Sequence, residues 1–182
     1  MSKNIGILVG SLRKDSLNKI VAKKLAELFP ADYTVSFIEI GDLPIYNEDL
    51  EENAPESYNR FRKEMKNQDA YVFISPEYNR GMPASLKNAI DVGSRQWGES
   101  VWPGKPVLVG SVSPAGISGA LANHQIRQSL VFGDSPVMAQ PELYIDASKA
   151  IGEDGQVVPG SVEFLQIVAN SFVVFIDKNS NN

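Results

Sequence analysis

The sequence predicts an α/β fold: a five-stranded parallel sheet of order 2-1-3-4-5 with helices on both faces, forming a three-layer sandwich. Three observations predict it. Short apolar runs of strand length alternate with stretches of helical periodicity. Most of the runs are apolar throughout, as strands buried on both faces require. Right-handed crossovers between five such strands leave only a few strand orders, and 2-1-3-4-5 is the one that suits five.

The first strand is "NIGILVG" (residues 4–10), an apolar run that ends in glycine. From Leu17, apolar residues recur at Ile20, Val21, Leu25, Leu28 and Phe29, with Lys19, Lys23, Lys24 and Glu27 mostly off that stripe. This is an amphipathic helix, and Pro30 stops it. "YTVSFIEI" (33–40) alternates apolar and polar residues, which predicts a half-exposed edge strand. The long polar loop "GDLPIYNEDLEENAP" follows, a surface excursion long enough to have a function. Pro55 opens a second helix whose inner face carries Tyr58, Phe61 and Met65. "AYVFIS" (70–75) is the third strand, and Pro83 opens a helix containing Leu86, Ala89 and Ile90. A segment with Trp97 and Trp102 leads to the fourth strand, "KPVLVGSVS" (105–113), and a helix from about Ala120 to Phe132 follows. "PVMAQPELYI" (136–145) is the fifth strand, where Pro141 signals a bulge or an edge. "GEDGQ" is a turn, and residues 161–177 form a last helix with a wide apolar face. That face suits a helix deep in its own domain, or one buried against both the sheet and a partner subunit. No repeat or linker interrupts this order. Residues 1–177 therefore read as one flavodoxin-like domain, with 178–182 as a disordered tail.

Composition narrows the chemistry. The chain of 182 residues has no cysteine and a single histidine, His124. Disulfides, thiolate nucleophiles, Cys/His zinc sites and multi-histidine metal sites are excluded. No G-x-S-x-G motif accompanies His124. An enzyme of this composition takes its chemistry from a bound cofactor, so neither catalytic side chains nor metal ligands are expected. The net charge of −5 argues against nucleic acid as a partner. No signal-peptide pattern opens the chain and no apolar run reaches the roughly 20 residues of a membrane span, which predicts a cytoplasmic protein with no membrane partner.

In open α/β sheets, ligands bind beyond the carboxyl ends of the strands where the strand order reverses, here between strands one and three. The loops meeting there are "GSLRKDSLN", "SPEYNRGMP" and, after strand four, "SPAGISG". In the first loop, Ser16 sits at a helix N-cap, and the free amides and dipole of the first turn favour an anion. Ser11 and Ser16 add hydroxyl donors, Asn18 an amide, and Arg13 a fork that matches phosphate oxygens. The same residues also suit a plain cap with a solvated arginine, and Asp15 counts slightly against an anion. The loop is neither G-x-G-x-x-G nor G-x-x-x-x-G-K-[ST], and acids of a phosphorylation site are missing, which leaves a mononucleotide phosphate. In "PEYN" (76–79), Pro76 ends a buried strand, so that backbone amides and the Tyr78 ring can face a flat heterocycle. From that stretch alone, an ordinary turn with a packing tyrosine is the stronger reading.

"GSLRKDSLN", "SPEYNRGMPASLKNAIDVGSR" and "GKPVLVGSVSPAGISGALANHQIRQ" together resemble the NADPH-dependent FMN reductase family, the flavodoxin-like group that includes quinone, azo-dye and chromate reductases. The resemblance runs over residues 3–145 in order. It implies one FMN per subunit, with the phosphate on the loop of Ser11, Arg13, Ser16, Leu17 and Asn18. It implies that Pro76, Glu77, Tyr78 and Asn79 line the flavin ring, largely through backbone amides. The loop from Val112 through Ser113 to Gly116 would approach the ring's other side. NADPH or NADH is then a transient co-substrate that passes a hydride to the flavin, and quinones, free flavin or similar small molecules are the acceptors. The family assembles as homodimers or homotetramers. "LKNAIDVGSRQW" would supply part of the interface, with Arg95, Trp97 and His124 near it; the plainer readings are ordinary core for Leu86 and Ile90, a loop filler for Trp97 and a polar helix residue for His124. Ala115, Arg80 and Gly81 depart from the family pattern, which bears on ring exposure and acceptor preference. Two other readings stay open at the level of sequence: a flavodoxin-type electron carrier without its own substrate, which Arg13 and the modest charge disfavour, and a flavin-free module on the same fold.

Overall fold

The computed structural model describes residues 3–179. Its five strands are all parallel: β1 (Lys3–Val9), β2 (Tyr33–Phe37), β3 (Ala70–Ser75), β4 (Val107–Ser113) and β5 (Leu143–Asp146), in the order β2-β1-β3-β4-β5. β3 and β4 are buried along their whole length, as their mostly apolar sequences suit, with Ser75, Ser111 and Ser113 buried among them. β2 is an edge strand with half-buried and exposed residues in turn.

The helices are α1 (Leu17–Glu27), α2 (Glu56–Lys66), α3 (Ala84–Gly93), α4 (Ala120–Phe132), α5 (Ala147–Ala150) and α6 (Pro159–Asn179). Alternate residues along each strand feed two separate cores. Ile5, Ile7, Val72, Ile74 and Leu108 pack with Val21 and Leu25 of α1 and Leu165 and Phe172 of α6. Leu8, Tyr71, Phe73, Val107 and Val109 pack with Phe61 of α2, Leu86 of α3, Ile126 of α4 and Trp102. The sheet is thus the middle of three layers. Burial raises the Tyr71 phenol well above its usual pKa, and its hydroxyl donates to the carbonyls of Met65 and Val101.

Several boundaries differ from the sequence reading, each for a local reason. β2 stops at Phe37 rather than residue 40, because the chain leaves the sheet edge towards a turn at Gly41, although Ile38 and Ile40 stay buried. β5 begins at Leu143 rather than 136. Val137 makes one bridge to Val107, and Pro141, with no amide to donate, keeps the ladder from running on. The one-turn helix α5 and a 3-10 helix at Glu48–Asn53 carried no periodicity long enough to show in the sequence. α6 includes Lys178 and Asn179, which the reading assigned to the tail; 180–182 lie outside the described residues. By length and apolar composition α6 could cross a bilayer, but Leu165, Val168, Ala169, Phe172 and Ile176 are packed in the core, which makes it a core helix.

The long polar excursion before α2 is tied down. Asn88 of α3 accepts from the Tyr46 amide at 2.7 Å and donates to the carbonyls of Leu43 and Pro44. Arg62 of α2 holds Glu51 through two hydrogen bonds of 2.6 and 3.1 Å and donates to the Val92 carbonyl.

Candidate functional site

The carboxyl ends of β1, β3 and β4 lie side by side, and the loops that follow them enclose a cleft of about 130 Å³. Gly10 makes the first approach possible. A Cβ there would meet Leu86 Cδ1 at 2.6 Å and Pro83 Cγ at 2.7 Å, so only glycine lets the chain leave β1 against α3. Ser85 of α3 donates to the Gly10 carbonyl at 2.7 Å and fixes that exit.

The first wall is the β1–α1 loop. Ser16 caps α1: its backbone is extended and its Oγ accepts from the Lys19 amide at 3.3 Å. The amides of Leu17 and Asn18 donate to no described residue and stand at the positive end of the helix dipole. No acidic residue occupies that first turn. Arg13 is exposed and forms no ion pair among the described residues. The wall is therefore a net donor surface with an unneutralised guanidinium.

Asn18 has a second tie that the sequence did not show. One side-chain N–H donates to the Val112 carbonyl at 3.3 Å and joins the start of α1 to the end of β4. That bond fixes the amide orientation, because a flipped amide would set two acceptors against each other. The Asn18 Oδ1 is then left buried with no partner. A buried, unsatisfied acceptor in a cleft wall suits a ligand that brings hydroxyl donors.

The second wall is "PEYN". Pro76 is buried, and the chain turns in a two-residue hairpin in which Tyr78 and Gly81 exchange both backbone hydrogen bonds, at 3.0 and 2.9 Å. Asn79 and Arg80 occupy the turn with φ of 50° and 63°, the geometry of a type I′ turn. Tyr78 stands half exposed at the cleft mouth. Glu77 has a structural role that its sequence context did not reveal. Its side chain is 7 % exposed, and its Oε2 accepts from the amides of Leu121 and Ala122 at 2.9 and 3.2 Å. The N-cap of α4 is Gly119, which has no side chain, so a carboxylate from another loop does the capping. Its Oε1 pairs with Arg80 at 3.1 Å. Glu77 thus clasps the second wall to the third.

The third wall follows β4. Ser113 Oγ accepts from the Ala115 amide at 3.2 Å, and Ser111 Oγ donates to the Ser118 carbonyl at 2.7 Å. Gly119 has a φ of 80°, and a Cβ there would meet the Ser111 Cβ at 2.9 Å. The tight return into α4 therefore requires glycine.

The cleft brings together Ser11, Arg13, Leu17, Asn18, Pro76, Glu77, Tyr78, Val112 and Ser113, all named from the sequence, and adds Pro114, which was not. Three named residues stand outside its lining. Ser16 is buried beneath it as the helix cap. Asn79 is exposed at the hairpin turn. Gly116 is exposed with open space around its Cα. Pro114 follows the strand without any pattern that would mark it. Among the described residues no group of three or more His, Asp or Glu side chains is placed to hold a metal.

Comparison with known proteins agrees with this geometry. The family model described as NADPH-dependent FMN reductase matches residues 3–150. A quinone reductase of Pseudomonas putida strain KT2440 is 49 % identical over 178 residues, covering 97 % of this chain and 96 % of the relative. A 2-hydroxy-1,4-benzoquinone reductase of a Burkholderia species is 38 % identical, with 97 % of each chain covered. Among solved structures, FerB, a flavoenzyme NAD(P)H:(acceptor) oxidoreductase from Paracoccus denitrificans, superposes with a TM-score of 0.91 at 40 % identity, over 97 % of this chain and 98 % of that one.

Proposed function

The chain belongs to the NADPH-dependent FMN reductase family, and from that membership we propose that it reduces quinones and related acceptors with NAD(P)H through an FMN seated in the three-walled cleft. The observation that carries the placement is the first wall: free amides at the start of α1, an unpaired Arg13 and the orphaned Asn18 Oδ1 line one cleft.

These residues suit a phosphate, a polyol chain and part of a flat ring. Arg13, the Ser11 hydroxyl and the amides of Leu17 and Asn18 hold a phosphate by charge and by donor geometry. Asn18 Oδ1 accepts from a hydroxyl of the ribityl chain, the one neighbour of the phosphate that donates. The backbone after Pro76, with the Tyr78 ring at its edge, and the loop from Val112 to Ser113 hold the flat heterocycle between them. A bound FMN would supply the hydride-transfer chemistry between nicotinamide and acceptor, so the protein needs no nucleophile of its own. What this chain supplies is position: Glu77 locks two walls together, and Ser111 and Ser113 shape the third.

A cleft of about 130 Å³ is smaller than the roughly 300–1,000 Å³ that envelops a small ligand, so part of the heterocycle stays open for coenzyme and acceptor. That openness also supports a homo-oligomer, dimer or tetramer, in which a second copy covers the rim. Leu121, in the first turn of α4 beside Glu77, is 43 % exposed, and Val131 and Phe132, in its last turn, are 63 and 94 % exposed, apolar surface of the kind that pairs with another copy. A cytoplasmic location, where NAD(P)H is supplied, belongs to the same reading.

An electron carrier on this fold would need a partner reductase. Steady oxidation of NADPH by the purified protein with a benzoquinone and no other protein is the expected result. NADPH oxidation that starts only when a second reductase is added would contradict it.

A further inference from the structure

A second cleft, of about 240 Å³, lies beyond the carboxyl ends of β1 and β2, on the other side of the phosphate loop from the flavin ring. Ser11 lines both clefts, so the two flank the same loop. Leu12, 53 % exposed, and Phe37, 48 % exposed, give the second cleft its apolar surface. Lys19 and Lys23, one helical turn apart on α1, face it, and neither forms an ion pair among the described residues. Glu39, just past β2, also faces it. Its Oε1 accepts from the Gly41 amide at 2.6 Å, which orients the carboxylate and leaves the second oxygen free.

We propose that this cleft receives the adenosine–phosphate end of the nicotinamide coenzyme, with the purine between Leu12 and Phe37, Glu39 on a ribose hydroxyl, and Lys19 and Lys23 on phosphate. One part of this has a precedent in dinucleotide-binding doubly wound sheets, where an acid after the second strand takes the adenosine ribose hydroxyl. Two lysines without acidic partners give a phosphate its counter-charge. A dinucleotide running from the open flavin face to this cleft passes round the loop that both share. The assignment rests on the FMN reading of the first cleft but makes a separate demand on this chain.

The test uses the FMN-loaded protein and the double variant Lys19→Gln/Lys23→Gln, with 5′-AMP as the probe. Calorimetry is expected to show 5′-AMP binding to the parent and at least fivefold weaker binding to the variant. The NADH concentration that half-saturates flavin reduction is expected to rise at least fivefold, with the limiting reduction rate and the KM for quinone unchanged. 5′-AMP is expected to compete with NADH in the parent. Equal 5′-AMP binding by both proteins, an unchanged NADH dependence, or inhibition that does not compete with NADH would each overturn the assignment. FMN content, read separately by absorbance, tells failure of this site from failure of the flavin reading.

Discussion

Arg13 is the residue on which the proposed anion site most depends, and also the one whose sequence context was most ambiguous. A solvated surface arginine and a phosphate ligand look alike in a string of letters; the second reading is supported by the place of Arg13 in the cleft lining, with no ion pair among the described residues. A charge-assisted hydrogen bond contributes about 1.5–3 kcal/mol. Arg13→Ala is therefore expected to weaken FMN binding roughly 10- to 150-fold in a fluorescence titration. Glu77 was legible as part of a motif but not in its role, because nothing in "PEYN" shows that a helix some forty residues later lacks its own cap. Glu77→Ala leaves the Leu121 and Ala122 amides without an acceptor and is expected to destabilise the fold by about 1–3 kcal/mol in urea unfolding. Glu77→Gln keeps an acceptor oxygen and is expected to lose less. Equal losses would mean that charge alone, not the hydrogen bonds to α4, sets the effect.

Elements with a long, regular pattern were readable in advance, and irregular ones were not. β3 and β4 announce themselves as mostly apolar runs and α1 as a periodic stretch. β5 is blurred because Pro141 separates one bridging residue from the ladder proper, so an apolar run of ten letters yields a strand of four residues. α5 is too short to carry a period at all. The junction between β1 and α1 was legible as a site because a buried strand, a glycine and a cap follow one another. The reason for the glycine was not, since Pro83 and Leu86 come from an element more than seventy residues away. Gly10→Ala forces a methyl group to within 2.6 Å of Leu86. It is expected to destabilise the fold by about 1–3 kcal/mol, measured by denaturant unfolding, and to lower FMN content as the first wall shifts. A stable variant with full FMN would show that α3 yields there without cost to the site.

At the scale of the whole molecule, strand order does most to locate function. The order 2-1-3-4-5 sets the β1, β3 and β4 loops around one crevice, and an apolar, cysteine-free interior leaves redox chemistry to a bound flavin. The central claim is that the flavin is anchored through its phosphate on the first wall, and riboflavin, identical except for that phosphate, tests it most directly. The apoprotein titrated with each ligand at the same salt is expected to bind FMN at least about 100-fold more tightly than riboflavin, the ratio that two or more charge-assisted contacts give. Equal affinity for FMN and riboflavin would contradict the account.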